Sequence, residues 1–176
     1  MTIQDFTPGR VEGLAALFGR LPESDLTFIK EDVSPVALAG WPAAAGWRWV
    51  EVDDAGTVNG LAALLPLTGW SDHVAELRLV VDPATRGRGI GRALAQHAVA
   101  HAVRSGLLKV VVEVPAAQER ITEMFLDLGF TGEALLRDHF RDRTGQLQDL
   151  IMLAYLAEQT FQALSAVGIA DVLGEE

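Results

Sequence analysis

A chain of 176 residues with 49% hydrophobic content is long enough for one domain, residues 1–176, around a sizeable core. Its 24 acidic against 14 basic residues, a net charge of -10, argue against a nucleic-acid partner, whose grip rests on neutralising phosphates, and are compatible with a cationic acceptor. The absence of cysteine excludes disulfide scaffolds, thiolate metal sites and a covalent cysteine intermediate. MTIQDFTPGR carries no signal pattern and every long apolar stretch is interrupted, so a cytoplasmic protein with no membrane partner is expected.

Thr2 to Phe6 reads as a short strand. Thr7-Pro8 then gives an N-cap with proline at the first helical position, and Val11, Leu14, Leu17, Phe18 and Leu21 recur at helical spacing. LPESDLTFIKEDV mixes apolar and charged residues and predicts a short second helix, followed by a loop through SPVALAGWPAAAG. WRWVEVD and Leu61 to Leu67 form a hairpin with Asp54 to Gly56 at its tip. Trp41, Trp47 and Trp49 are candidates to line an acceptor pocket, although aromatics at a core edge ordinarily pack.

A buried strand follows from Leu77 to Val81, and Asp82-Pro83 ends it. The helix after it sets Leu94, Ala95, Ala98, Val99, Ala102 and Val103 on one side and Gln96, His97, His101 and Arg104 on the other. His97 and His101 have chelating spacing, but no third ligand is evident, and no metal site is expected. Gly106 ends this helix. Val110 to Val114 is a further strand, and the strand–helix–strand crossover should set it parallel to Leu77–Val81 and adjacent to it. Ile121, Met124, Phe125 and Leu128 mark another helix, stopped by Gly129. Strands from Ala134 to Phe140 and from Gln146 to Leu153 turn at Asp142 to Gly145, and residues 157–167 are a possible extra helix.

Between the central strand and its helix lies RGRGIGR. Gly87, Gly89 and Gly91 bare the backbone, so that consecutive N–H groups can turn toward one concavity, and the helix adds the positive end of its dipole. Arg86, Arg88 and Arg92 surround the loop with cations, which suits a phosphate. No Walker loop exists in the chain, and G-x-G-x-G is not the dinucleotide spacing G-x-G-x-x-G.

Strand, R-G-R-G-I-G and helix resemble the acyl-CoA signature of the GNAT superfamily of N-acyltransferases, a likeness extending from about Glu76 to Phe130. The resemblance implies an α/β fold: a mixed, largely antiparallel sheet whose central parallel strand pair splays apart between flanking helices. It implies acetyl-CoA as co-substrate, its pyrophosphate on the amides of Gly87, Arg88, Gly89, Ile90 and Gly91, and its pantetheine arm along Leu79, Val80 and Val81. It implies an amine acceptor, by sequence alone a protein lysine or N-terminus or a small molecule, for a monomer or homodimer.

Transfer of acetyl from a thioester to an amine needs a neutral amine, a stabilised oxyanion and a protonated thiolate. An alkylamine with a pKa of ~10.4 arrives protonated, so a base is required. In the bacterial protein-lysine acetyltransferase branch, which this central strand resembles, a glutamate ten residues before the first loop arginine is the base, and that position is Glu76; Glu113 and Asp149 are reserves. The oxyanion donor is expected at the N–H of Leu79 or Val81, where a bulge would free it. Many relatives carry an Asn and then a thiolate-protonating Tyr in the helix after the second parallel strand. Gln118 and Phe125 match those positions; Gln118 can bond the pantetheine, Phe125 carries no proton, and Tyr155, His139 or water are the substitutes. A non-catalytic acyl-CoA sensor is the alternative.

Overall fold

The computed structural model describes residues 1–157. All but the first residue of the possible helix 157–167 lies outside the described residues. Seven strands form one sheet: β1 (Thr2–Asp5), β2 (Trp47–Val52), β3 (Val58–Pro66), β4 (Val74–Val81), β5 (Lys109–Pro115), β6 (Thr131–Arg141) and β7 (Leu147–Leu156), in the order β1-β2-β3-β4-β5-β7-β6. Every neighbouring pair is antiparallel except β4 and β5. The helices are α1 (Val11–Gly19), α2 (Glu23–Leu26), α3 (Pro35–Gly40), α4 (Ile90–Arg104) and α5 (Glu119–Asp127).

Alternate residues of the central strands enter two separate cores, as the two-residue period of a strand requires. Trp49, Ala62, Leu64 and Leu77 join Leu94, Ala95, Ala98 and Ala102 of α4 on one face. Val50, Val52, Val58 and Leu61 join Leu14 and Leu17 of α1 and Leu38 of α3 on the other. Gly60 lets α4 settle onto β3: a Cβ there would stand 2.8 Å from Leu94 Cδ1 and 2.9 Å from Ile90 Cγ2.

The structure departs from the sequence expectations at several points; β4 begins at Val74 and β6 at Thr131, each three residues earlier than expected. β3 begins at Val58 rather than Leu61, because the Asp53 carboxylate accepts from the N–H groups of Ala55 and Thr57 and tightens the hairpin. The expected loop contains α3, whose first turn is capped by Ser34 Oγ accepting from Ala37 N with Pro35 at N1; Thr7-Pro8 instead opens a 3-10 turn, Pro8–Arg10, with no side-chain cap bond, and α1 follows from Val11. Val103 is 45% exposed and off the apolar side of α4. His97 and His101 are turned inward, with ring centroids 5.1 Å and 4.9 Å from Trp49, so the polar arc of α4 is narrower than the sequence suggests.

β4 and β5 pair only through Val74↔Lys109, Ala75↔Val110 and Glu76↔Val111. Past Glu76 the two strands diverge, so Leu77–Val81 and Val112–Val114 are parallel in sense but face an opening. Among the described residues no helix is long and apolar enough to cross a membrane.

Candidate active site

A cleft of about 930 Å³ occupies the opening between β4 and β5. Leu79, Val80 and Val81 of β4 line one wall, Gly87, Gly89, Ile90 and Gly91 its end, and Gln118 and Phe125 the opposite side. Arg86 and Arg92 line it as well, whereas the exposed Arg88 lies outside the lining.

The glycine loop has the backbone that an anion requires. Gly87 and Gly89 have φ of 77° and 83°, left-handed values that other residues adopt at a cost of ~1–2 kcal/mol, and no atom lies within 4 Å of a Cβ built on either. The first hydrogen bond of α4 runs from Ala93 N to Gly89 O, which leaves the N–H groups of Ile90, Gly91 and Arg92 without an acceptor inside the helix. The root of the loop is fixed by buried Asp82, which accepts from Ala84 N at 2.9 Å and Arg20 Nε at 2.5 Å, while Arg20 Nη2 donates to Val58 O at 2.7 Å. Burial opposes ionisation of Asp82, but the Ala84 amide and Arg20 outweigh it and hold the carboxyl below its usual range. Arg86 donates to Asp25 and to Val81 O, and Arg92 to Asp127 at 2.8 Å, so both cations are already partly neutralised. These residues fit the pyrophosphate of an acyl-CoA.

Free N–H groups on β4 follow from alternation. Asp82 N donates to Asn59 O on the β3 side, so the N–H groups of Val80 and Arg78 also face β3, and those of Leu79 and Val81 face the opening. The β3–β4 register runs unbroken from Gly60↔Val81 to Pro66↔Ala75. No bulge frees these donors; the divergence of β5 does.

Glu76 and Glu113 project to the face that carries α1 and α3, opposite Leu77, Val112 and Val114. Lys30, in the segment between α2 and α3, donates to both, its Nζ lying 2.8 Å from Glu76 Oε1 and 2.5 Å from Glu113 Oε2. Arg78 holds Glu76 from the other side at 2.9 and 2.7 Å and also pairs with Glu31. Burial pushes the Glu76 carboxyl up, yet the hydrogen bonds from Arg78 and Lys30 win and keep it below the ordinary glutamate value. Burial likewise opposes the Lys30 ammonium, and its bonds to Glu113 and Glu76 raise it above the ordinary lysine value.

Asp149, Tyr155 and His139 lie outside the cleft lining. Asp149 accepts from Asp138 N at 2.9 Å, where β6 breaks register and Asp138 takes φ 51°, so it serves the strand irregularity and not the site. Tyr155 packs on Phe130 with ring centroids 5.6 Å apart, His139 is exposed, and neither lines the cleft. Phe125 packs edge-on against Phe130 at 5.0 Å. Of the three candidate tryptophans only Trp41 reaches the lining; Trp49 is 3% exposed and Trp47 packs on His101. Lys30, Glu31 and Asp25 escape the sequence reading, for nothing local marks them. Arg78 carried a signal, since it stands two residues from Glu76 and so shares its face of the strand.

The sequence profile of the acetyltransferase (GNAT) family matches residues 17–130, well over half of the chain. The chain belongs to the GNAT acetyltransferase family. Among its GNAT relatives, the [ribosomal protein bS18]-alanine N-acetyltransferase of Escherichia coli K12 is 29% identical over 99 residues, 56% of this chain and 66% of that protein. The mycothiol acetyltransferase of Rhodococcus opacus is 29% identical over 152 residues, 86% of this chain and 48% of that protein. The chain thus spans just under two thirds of the first relative and about half of the second. A ribosomal-protein-alanine N-acetyltransferase from Brucella melitensis superposes with a TM-score of 0.80 at 20% identity, covering 89% of this chain and 99% of that one. A GCN5-related N-acetyltransferase from Kribbella flavida gives 0.77 at 23%, covering 88% and 96%. At such identities the superpositions establish the GNAT fold.

Proposed function

We propose that the chain acts as one catalytic unit that moves the acetyl group of acetyl-CoA directly to an amine within a ternary complex. The observation that carries this reading is one cleft with an anion-binding backbone at the α4 end and a carboxylate from each diverging strand at the other. In this reading the amides at Gly87–Gly91 hold the pyrophosphate, with Arg86 and Arg92 beside it. The pantetheine arm lies along Leu79–Val81, with Gln118 on its far side. The amine approaches from the face of α1 and α3 and gives a proton to Glu76. The oxyanion forming at the thioester carbonyl accepts from Leu79 N–H or Val81 N–H, whose dipoles are held in place before the reaction begins. Phe125 offers no proton, so the departing thiolate is protonated by water.

Release of free coenzyme A thiol across lysine peptides, amino-terminal peptides, polyamines and amino acids tests the reading, and the absence of cysteine means that a thiol reagent sees only product. Release with one amine class is expected. Glu76→Gln should then lower kcat by about 10²-fold or more and leave the acetyl-CoA Kd unchanged. Phe125, which removes the usual acid, favours a second reading as a non-catalytic acyl-CoA sensor. Tight acetyl-CoA binding with silence across the whole panel would select it.

A further inference from the structure

The chain has only two lysines, Lys30 and Lys109, against twelve arginines. Arginine is the better partner for a pair of carboxylates, because its planar fork can satisfy both and it never gives up its proton at ordinary pH. Yet the residue between Glu76 and Glu113 is a lysine. Its Nζ donates to a carboxylate from each of the two strands that diverge at this point. Glu76 is the last β4 residue to pair with β5, so the amine stands at the mouth of the opening, in the same cleft as Leu79, Val81 and the glycine loop. Its side chain is 44% exposed and is carried on a segment outside the sheet. Lys109 differs in every respect: it pairs with Glu133 at 2.6 Å, away from the cleft lining.

We infer that Lys30 is itself an acceptor, acetylated on Nζ by its own chain when no external amine displaces it. The inference rests on the acetyltransferase reading above and names an amine that the cleft already holds. The groups facing Lys30 supply the chemistry. The ammonium gives one proton to Glu76, and the freed lone pair attacks the thioester carbonyl of acetyl-CoA. The new C–N bond forms as the C–S bond breaks. Sulfur leaves with the bonding pair, and the second proton lost from nitrogen reaches it by way of water. The products are acetyl-Lys30 and free coenzyme A, with one net proton released to solvent through Glu76. An amide nitrogen bears no charge, so Glu76 and Glu113 lose the cation that bridges them. The mouth of the cleft then carries Glu113 without its cation and Glu76 held by Arg78 alone, a stronger attractant for an external ammonium than the occupied pair.

The test is incubation of the full chain with acetyl-CoA and no added amine, followed by intact mass and peptide mapping, beside a thiol-release assay with the amine panel. One acetyl group on Lys30 is expected, with Lys109 unmodified and a rate per molecule independent of protein concentration. Lys30→Arg should gain none, and Glu76→Gln should slow the gain. Acetyl already present on Lys30 of the purified chain and missing from Glu76→Gln supports the inference equally. Equal labelling of Lys30 and Lys109, a rate that climbs with protein concentration, or an unmodified Lys30 in a preparation that acetylates an external amine overturns it while the proposed function stands. No acetylation of Lys30 or of any amine overturns both.

Discussion

In the proposed reaction Glu76 accepts a proton, while Arg78 and Lys30 both hold it ionised. At neutral pH this guarantees a carboxylate ready to receive, at the cost of basicity, since each hydrogen bond stabilises the charged form. The balance can be read from a pH–rate profile. Arg78→Met removes the largest of the influences that lower the Glu76 value, so its pKa rises and the base becomes protonated at a higher pH. The acid limb of kcat/KM should therefore move to higher pH, with the alkaline limb unmoved. An acid limb at the wild-type position would assign the proton transfer to another group. Glu113 shares Lys30 and is not among the hydrogen-bond partners of Arg78.

At the scale of elements, α2 is only four residues long and owes its position to ion pairs as much as to packing. Asp25 meets Arg86 of the glycine loop, and Glu23 meets Arg143 in the turn after β6. Arg86 therefore belongs to two structures, the glycine loop and the stretch of cleft wall that carries Asp25. Arg86→Glu should weaken acetyl-CoA binding measured by titration, since it sets a negative charge beside the pyrophosphate and repels Asp25. A half-exposed pair of this kind contributes only ~0.2–1 kcal/mol to stability, so the denaturation midpoint should barely shift. Elements whose information is local were legible in the sequence. The apolar run of β4, the glycines before α4 and the helical spacing of Ile121, Met124 and Phe125 each announce themselves within a dozen residues. The ammonium at the mouth of the cleft did not, because Lys30 lies 46 residues from Glu76 and 83 from Glu113. Ser34-Pro35 was readable by the rule applied to Thr7-Pro8, but the alanines and glycines after it hide any apolar stripe.

On the scale of the whole molecule, α4 is fastened to β2 by a histidine in an apolar setting. His101 lies between Trp47 and Trp49, its Nε2 buried without a partner. Burial first, then Arg104 and His97, lower its pKa, and Asp5 alone opposes them. The unfolded chain, with the ordinary value of 6.5, therefore binds the proton more readily than the folded one. Stability should fall as pH is lowered through 6.5 and level off once the folded histidine also titrates. Urea midpoints should show that slope in the parent chain and lose it in His101→Gln; an equal slope in both would place its origin elsewhere. A last consequence concerns the three residue pairs that join β4 to β5. Mechanically the sheet is two panels, β1–β4 and β5–β7, stitched along one short seam and propped open beyond it. The amides of Leu79 and Val81 sit at the geometric middle of seven strands, where deuterium uptake is ordinarily slowest, yet they lie on the unstitched side. They should exchange as fast as edge-strand amides in the free protein and slow sharply when acetyl-CoA spans the gap, so that occupancy of the cleft is written into the exchange of two backbone protons.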